Sequence, residues 1–169
     1  MSELHQQLLR QARRQSRSRN PNDATIRRAV STAYYALFHA ITFHASAMCE
    51  PRYGDARLVL RRAFSHSAMK QCCTGFSKQT VPTAITQKLG RDSYSPPADI
   101  RGVASVFVKL QETRHRADYD HASTVAQGDA VAAVRDAADG INKLVAAANA
   151  HPNDMGLFLY AMLCQRGSD

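Results

Sequence analysis

Apolar residues recur along this chain at spacings of three and four, and hardly anywhere in alternation. That spacing is the mark of one-sided helices rather than half-buried strands. Leu4, Leu8 and Ala12 place a helical stripe between about Ser2 and Ser18, with Ser2 as its cap and Glu3 at the favoured end of the dipole. Asn20-Pro21-Asn22-Asp23 breaks that helix and caps the next. From Ala24 to about Met48 the apolar set is Ile26, Val30, Ala33, Leu37 and Ile41. Pro51 to Gly54 reads as a turn, followed by helices over roughly Asp55–Phe64 and Ser67–Phe76. The stretch from Ser77 to Pro97 holds Pro82, Gly90, Pro96 and Pro97 and is the least regular, with room for a short helix near Thr83–Leu89. Asp99 or the proline pair opens a helix running to about Tyr119, with stripe Val103, Phe107 and Leu110. Gln127-Gly128-Asp129 starts another, with Asp129 as cap and a core face of Val134, Ala138, Ile141, Val145 and Ala148. His151-Pro152-Asn153-Asp154 ends it, and Met155–Cys164 reads as a short helix that is apolar almost all round. Such a helix needs cover from the bundle or from another subunit.

The pattern predicts an all-α fold. Its alanine-rich faces imply close helix–helix approach, as in an antiparallel bundle of four to five helices over residues 1–150, extended by the apolar helix in 151–169. A chain of 169 residues suits one domain with a real core, built from Ala, Leu, Val and Ile since Trp is absent. Eight Gly and six Pro are too few for a many-stranded sandwich. Neither a signal sequence nor a membrane-length apolar run is present, so a cytoplasmic protein with no membrane partner is expected. Cys49, Cys72, Cys73 and Cys164 then stay reduced, and their spacing does not make a zinc site, so no metal or cofactor is expected.

Charge changes the picture. Residues 1–117 carry 19 Lys/Arg against 7 Asp/Glu, whereas residues 118–169 carry 3 against 7. Arginines dominate the first 28 residues, ending in Arg27 and Arg28. Massed Arg suits a polyanionic partner, because the guanidinium makes forked hydrogen bonds to phosphate; a merely solvated basic surface is the plain alternative. The sharpest feature is Arg114-His115-Arg116-Ala117-Asp118-Tyr119-Asp120-His121. Continuing the stripe beyond Leu110 leads to Arg114, then Ala117 or Asp118, then His121. On an unbroken helix, positions 114 and 121 lie within about 20° of each other. A cation and an imidazole on a buried side are rare unless paired or used. An Arg114–Asp118 helical ion pair and a helix-end role for His121 are the structural alternatives. Tyr34, Tyr35 and His39 read chiefly as packing or interface residues.

Two stretches together resemble the HEPN family (higher eukaryotes and prokaryotes nucleotide-binding domain), in particular its small stand-alone prokaryotic members. Ala29-Val30-Ser31-Thr32-Ala33-Tyr34-Tyr35-Ala36-Leu37-Phe38-His39 is similar to the Ser-x-Ala-Tyr-Tyr-Ala-x-Phe-His signature of that family's second helix. Arg114 to Tyr119 resembles the Arg-polar-x-Ala-Asp-Tyr segment late on its fourth. The resemblance implies a helical homodimer that, in many members, is a metal-independent endoribonuclease marked by an Arg, four to six residues, then a His. Arg114 to His121 leaves six between and Arg116 to His121 leaves four. Positions five apart on a helix are turned by about 140°, which favours Arg114 and leaves Arg116, with Arg27 and Arg28, as phosphate contacts.

The expected chemistry is cleavage of RNA by its own 2′-hydroxyl at a composite dimer cleft. His121 would transfer protons, Arg114 would hold the phosphorane charge, His115 would be the polar neighbour and Asp118 an orienter. In the commonest form of the motif a His stands five positions after the Arg; here that position is Tyr119. That departure favours the alternative, a non-catalytic module that binds nucleotide or RNA or docks a nucleotidyltransferase. A toxin or phage-defence setting, with an antitoxin partner, is implied by the resemblance alone.

Overall fold

A computed structural model of the chain describes residues 3–48, 52–81, 83–90 and 93–164. Among them there is no strand, and the fold is an all-α helical bundle. The helices are α1 (Leu4–Ser16), α2 (Asp23–Ala47), α3 (Gly54–Arg62), α4 (His66–Ser77), α5 (Thr83–Lys88), α6 (Ala98–Tyr119), α7 (Gln127–Ala150) and α8 (Pro152–Cys164). Ser2, Cys49, Pro51 and Pro82, each given a role above, lie outside the described residues.

Local chemistry explains the boundaries. Asn20 takes a positive φ of 55° after α1, a conformation that asparagine tolerates better than most residues. The Asn22 side chain then accepts from the Thr25 N–H at 2.8 Å and caps α2. Ser65 caps α4 by accepting from the Ala68 N–H at 3.2 Å, which starts that helix one residue earlier than the periodicity predicts. Asp129 does not cap α7 from outside; it sits in the first turn and reaches back to the Ala126 N–H at 3.0 Å, the reciprocal half of a capping box. Pro152 occupies the first position of α8, where its missing N–H leaves no bond unmade.

Contacts divide the chain into two compact units. The first comprises Met1–Ala40 and Val106–Asn142, the second Ile41–Ser105 and Lys143–Asp169. In the first unit, Tyr34, Leu37, Phe107 and Leu110 are at most 1 % exposed, with Ala29, Ala33 and Ala137 sealed around them. The buried stripe of α7 is Ala130, Ala133, Ala137 and, in the second unit, Leu144 and Ala147. Of the expected face only Val134 is also buried, at 6 % exposed; Val145 is 42 % exposed and Ala138, Ile141 and Ala148 are half-buried, so the rest of that face is corrected. The smallest side chains face the neighbouring helices because they permit the closest approach. Gly140 makes the point: a methyl built there would stand 3.0 Å from Val106 and 3.2 Å from Leu37.

In the second unit α4 packs on α8, with the Phe76 and Phe158 rings 4.9 Å apart. This gives the apolar α8 one of the covers it needs: Met155, Phe158, Leu159, Ala161 and Met162 are buried while Tyr160 stays 53 % exposed. Among the described residues, no helix is long and apolar enough to cross a membrane.

Candidate functional site

Near the C-terminal end of α6 the stripe that begins at Val103 ends in charge. Arg114 takes the next inward position, its side chain 16 % exposed, and Ala117 the one after, 2 % exposed. A guanidinium there must be neutralised within the fold, and it is. Its Nε lies 2.6 Å from Asp118 Oδ2, one turn later. The N–H is not aimed at that oxygen, so the pair is held by charge rather than by a directed hydrogen bond. Nη2 donates to the Tyr35 hydroxyl at 3.3 Å and to the Tyr119 hydroxyl at 3.4 Å. The guanidinium carbon stands 5.7, 5.6 and 5.5 Å from the ring centres of Tyr34, Tyr35 and Tyr119, within cation–π range. Burial works against the charged form, but Tyr35, Asp118 and Tyr119 together outweigh it and hold the pKa above the ordinary arginine value.

Asp118 ties this cluster to α2: Ser31 Oγ donates to its Oδ1. Residues 31 and 35 come from one of the two stretches quoted above and residues 114, 118 and 119 from the other, so tertiary structure brings both stretches together. Tyr34 is fully buried, edge-on to Tyr35 at 5.3 Å and against Phe107 at 5.5 Å, as a packing residue should be. His39 is half-buried with its ring 6.4 Å from that of Tyr35.

Beside the cluster, α1, α2 and α6 enclose a cleft of about 680 Å³. Arg27, Arg28, Ser31, Thr32, Tyr35 and His39 line it from α2, and Asp118 and Tyr119 from α6. Leu4, Leu8 and Gln11 line it from α1. Of the stripe Leu4, Leu8 and Ala12 only Ala12 is buried, together with His5 and Ser16; Leu8 is half-buried and Leu4 is 52 % exposed at the cleft. The polar contributors Gln11, exposed, and Thr32, buried, carry no sequence signal that sets them apart from other polar residues.

The two adjacent arginines do different work. Arg27 donates to the carbonyls of Ala117 at 2.8 Å, Asp120 at 3.2 Å and Ser123 at 2.6 Å, and pairs with Asp23 at 2.6 Å. It therefore closes the C-terminal end of α6, where carbonyls lack helical partners, while also lining the cleft. Arg28 is exposed at the cleft, and its guanidinium has no hydrogen-bond or ion-pair partner among the described residues.

His121 lies beyond the end of α6, exposed, in the bend where the Asp120 carboxylate accepts from the N–H groups of Ala122 and Ser123. The helical extrapolation from Arg114 to His121 does not apply there, because the helix stops at Tyr119. No hydrogen bond or ion pair joins His121 to Arg114, and neither residue lines the cleft. His115 is exposed with its ring 5.0 Å from that of Tyr119, and Arg116 is exposed on α6. Among the described residues, no group of three His, Cys, Asp or Glu could hold a metal ion.

No protein-family model, curated protein or solved structure matches the chain.

Proposed function

We propose that this protein is a HEPN-type helical module that binds single-stranded RNA, with the α1–α2–α6 cleft as its phosphate and ribose site. The observation that carries this reading is Arg28, an uncommitted guanidinium at a cleft whose other polar lining is hydroxyls, an imidazole, the Gln11 amide, and an arginine and a carboxylate (Arg27 and Asp118) already held within the fold, with two leucines at its edge. A guanidinium and hydroxyl donors suit phosphate and ribose oxygens, and an apolar edge suits a base. The volume is that of a ligand site. Binding is favoured over cleavage because Arg114 is already held by Asp118, Tyr35 and Tyr119, while His121 stands apart from it.

Fluorescence anisotropy with a labelled 15-nucleotide oligouridylate tests this directly. Arg28→Gln should weaken binding and reduce the slope of log affinity against log salt by about 0.7, the value for one phosphate contact on a single strand. His121→Ala should bind as wild type. A wild-type protein that binds no RNA at 50 mM salt would end the reading.

A second reading, metal-independent cleavage of that RNA by a homodimer, is favoured by one observation. Tyr119 lies on the cleft 60 % exposed, its hydroxyl accepting from Arg114 and its ring beside His115. A phenol or imidazole so placed can exchange a proton with a reacting oxygen. On this reading, RNA incubated in EDTA yields 2′,3′-cyclic phosphate ends, and Tyr119→Phe, His115→Ala or His121→Ala identifies the group by losing rate by ~10²–10⁴ with binding kept. Intact RNA after prolonged incubation, or a protein that scatters light as an 18.6 kDa monomer throughout the micromolar range, removes it.

A further inference from the structure

On the opposite flank of α1 from the cleft lies a groove of about 370 Å³ between α1 and α7, floored by Val131, Val134 and Ala138 and edged by Arg13, Arg17 and Arg135. Arg13 and Arg17 are one helical turn apart, where like charges repel, and Arg135 faces them from α7. No carboxylate lines the groove. Arg135 Nε has only Asp136 at 4.0 Å, and that carboxylate is already held by Lys109 at 2.6 Å. Arg13 and Arg17 have no ion-pair or side-chain hydrogen-bond partner among the described residues. Three guanidiniums lining one groove, with one distant and already shared carboxylate among them, are a cost that an anion would lower.

The two depressions are connected by charge. Taking 100° per residue, Leu4, Leu8 and Gln11 face the cleft, the buried stripe of His5, Ala12 and Ser16 lies to one side, and Arg13, Arg17, Arg10 and Arg14 spread over an arc of about 100° on the outer side. Helix α1 contains no Asp or Glu. With its side chains a helix is about 10–12 Å across, so the path over that outer face is roughly 15–20 Å, within reach of a few nucleotides.

Resting on the RNA reading above, we infer that the α1–α7 groove is a second phosphate site, and that one RNA strand passes over the outer face of α1 from the cleft to Arg13, Arg17 and Arg135. A single-strand track of this kind, basic and indifferent to sequence, needs guanidiniums at intervals rather than an enclosed pocket.

The test uses the full chain, the same labelled 15-nucleotide oligouridylate, and the triple variant Arg13→Gln/Arg17→Gln/Arg135→Gln. All three side chains are exposed, so helicity by circular dichroism should be unchanged. Loss of three contacts should flatten the salt slope by about two, beyond the change produced by Arg28→Gln alone. If wild type and Arg28→Gln behave as described and the triple variant keeps the wild-type slope, the groove is not an RNA contact and only this inference fails. If wild type binds no RNA, the functional reading fails and this one with it. A triple variant that binds RNA as wild type but loses binding of labelled polyglutamate would assign the groove to an acidic protein segment and overturn the inference.

Discussion

Arg114 is an arginine placed where a leucine would continue the stripe, and everything around it answers that substitution of charge for oil. Asp118 supplies the counter-charge, two tyrosine hydroxyls accept hydrogen bonds from the guanidinium, and three rings give their faces. Removing one partner therefore costs more than the pair itself contributes, because the remaining charge stays partly buried. Asp118→Ala should lower stability by about 2–3 kcal/mol, less than for a fully enclosed pair since both side chains keep some solvent. For a chain of this length that corresponds to a fall in Tm of roughly 5–10 °C by scanning calorimetry. Asp118→Asn, which can still accept from Ser31, should lose about half as much. A Tm unchanged in Asp118→Ala would mean that water and the tyrosines suffice to hold Arg114. This cluster was only half legible in the sequence. Spacing identified Arg114 as inward-facing and Asp118 as its neighbour one turn on, both local facts; Tyr35 and Ser31 lie 79 and 87 residues away and no local rule links them.

Helices are legible from the chain because capping and periodicity act within a few residues, and each of the eight described elements overlaps a predicted one, although α4 begins one residue earlier and α8 three residues earlier, at Pro152. Which face of a helix turns inward is less legible when the apolar side chains differ in size. On α7 the branched residues Ile141 and Val145 suggested one face, and the alanines with Gly140 occupy it instead, rotated by one residue. Weighting by hydrophobicity favours the larger side chains, whereas close helix approach favours the smaller. Gly140→Val should destabilise by about 1–3 kcal/mol through overpacking against Val106 and Leu37. Gly128→Ala, in the first turn of the same helix with nothing within 4 Å of the added methyl, should be neutral or stabilising by up to about 1 kcal/mol. Urea denaturation of the two variants separates the explanations: equal effects would show that helix propensity, not the close approach, governs position 140.

At the scale of the molecule, the charge contrast between the two ends of the sequence does not survive folding. The first unit gathers 11 Lys/Arg and 8 Asp/Glu, the second 11 and 6, because each joins a basic early segment to a later segment in which acids match or outnumber bases. What remains is local: Arg13 and Arg17 at the α1–α7 groove and Arg28 at the cleft. Burial at this scale also governs the thiols. In the second unit burial pushes the Cys72 thiol up to about 12 and that of Cys73 well above its ordinary range, the Cys72 neighbour adding to the latter. Cys164 is exposed. In a Cys49→Ser background at pH 7.5, a maleimide should label Cys164 within minutes and the other two only through opening of the unit, at rates that rise with urea. Rapid native labelling of Cys72 or Cys73, read by peptide mass, would show that this core opens locally.

The sequence by itself determined the all-α class, the approximate span of each helix and the inward placement of Arg114, since each depends on interactions within a turn or two of helix. Only the tertiary structure decided that Arg27 closes the end of α6 while Arg28 stays free, that Leu4 and Leu8 border a cleft, and that Ser31 and Tyr35 meet Asp118 and Arg114. Those outcomes depend on which helix faces which, and that is set by the summed packing of whole faces, in which no single residue carries the information.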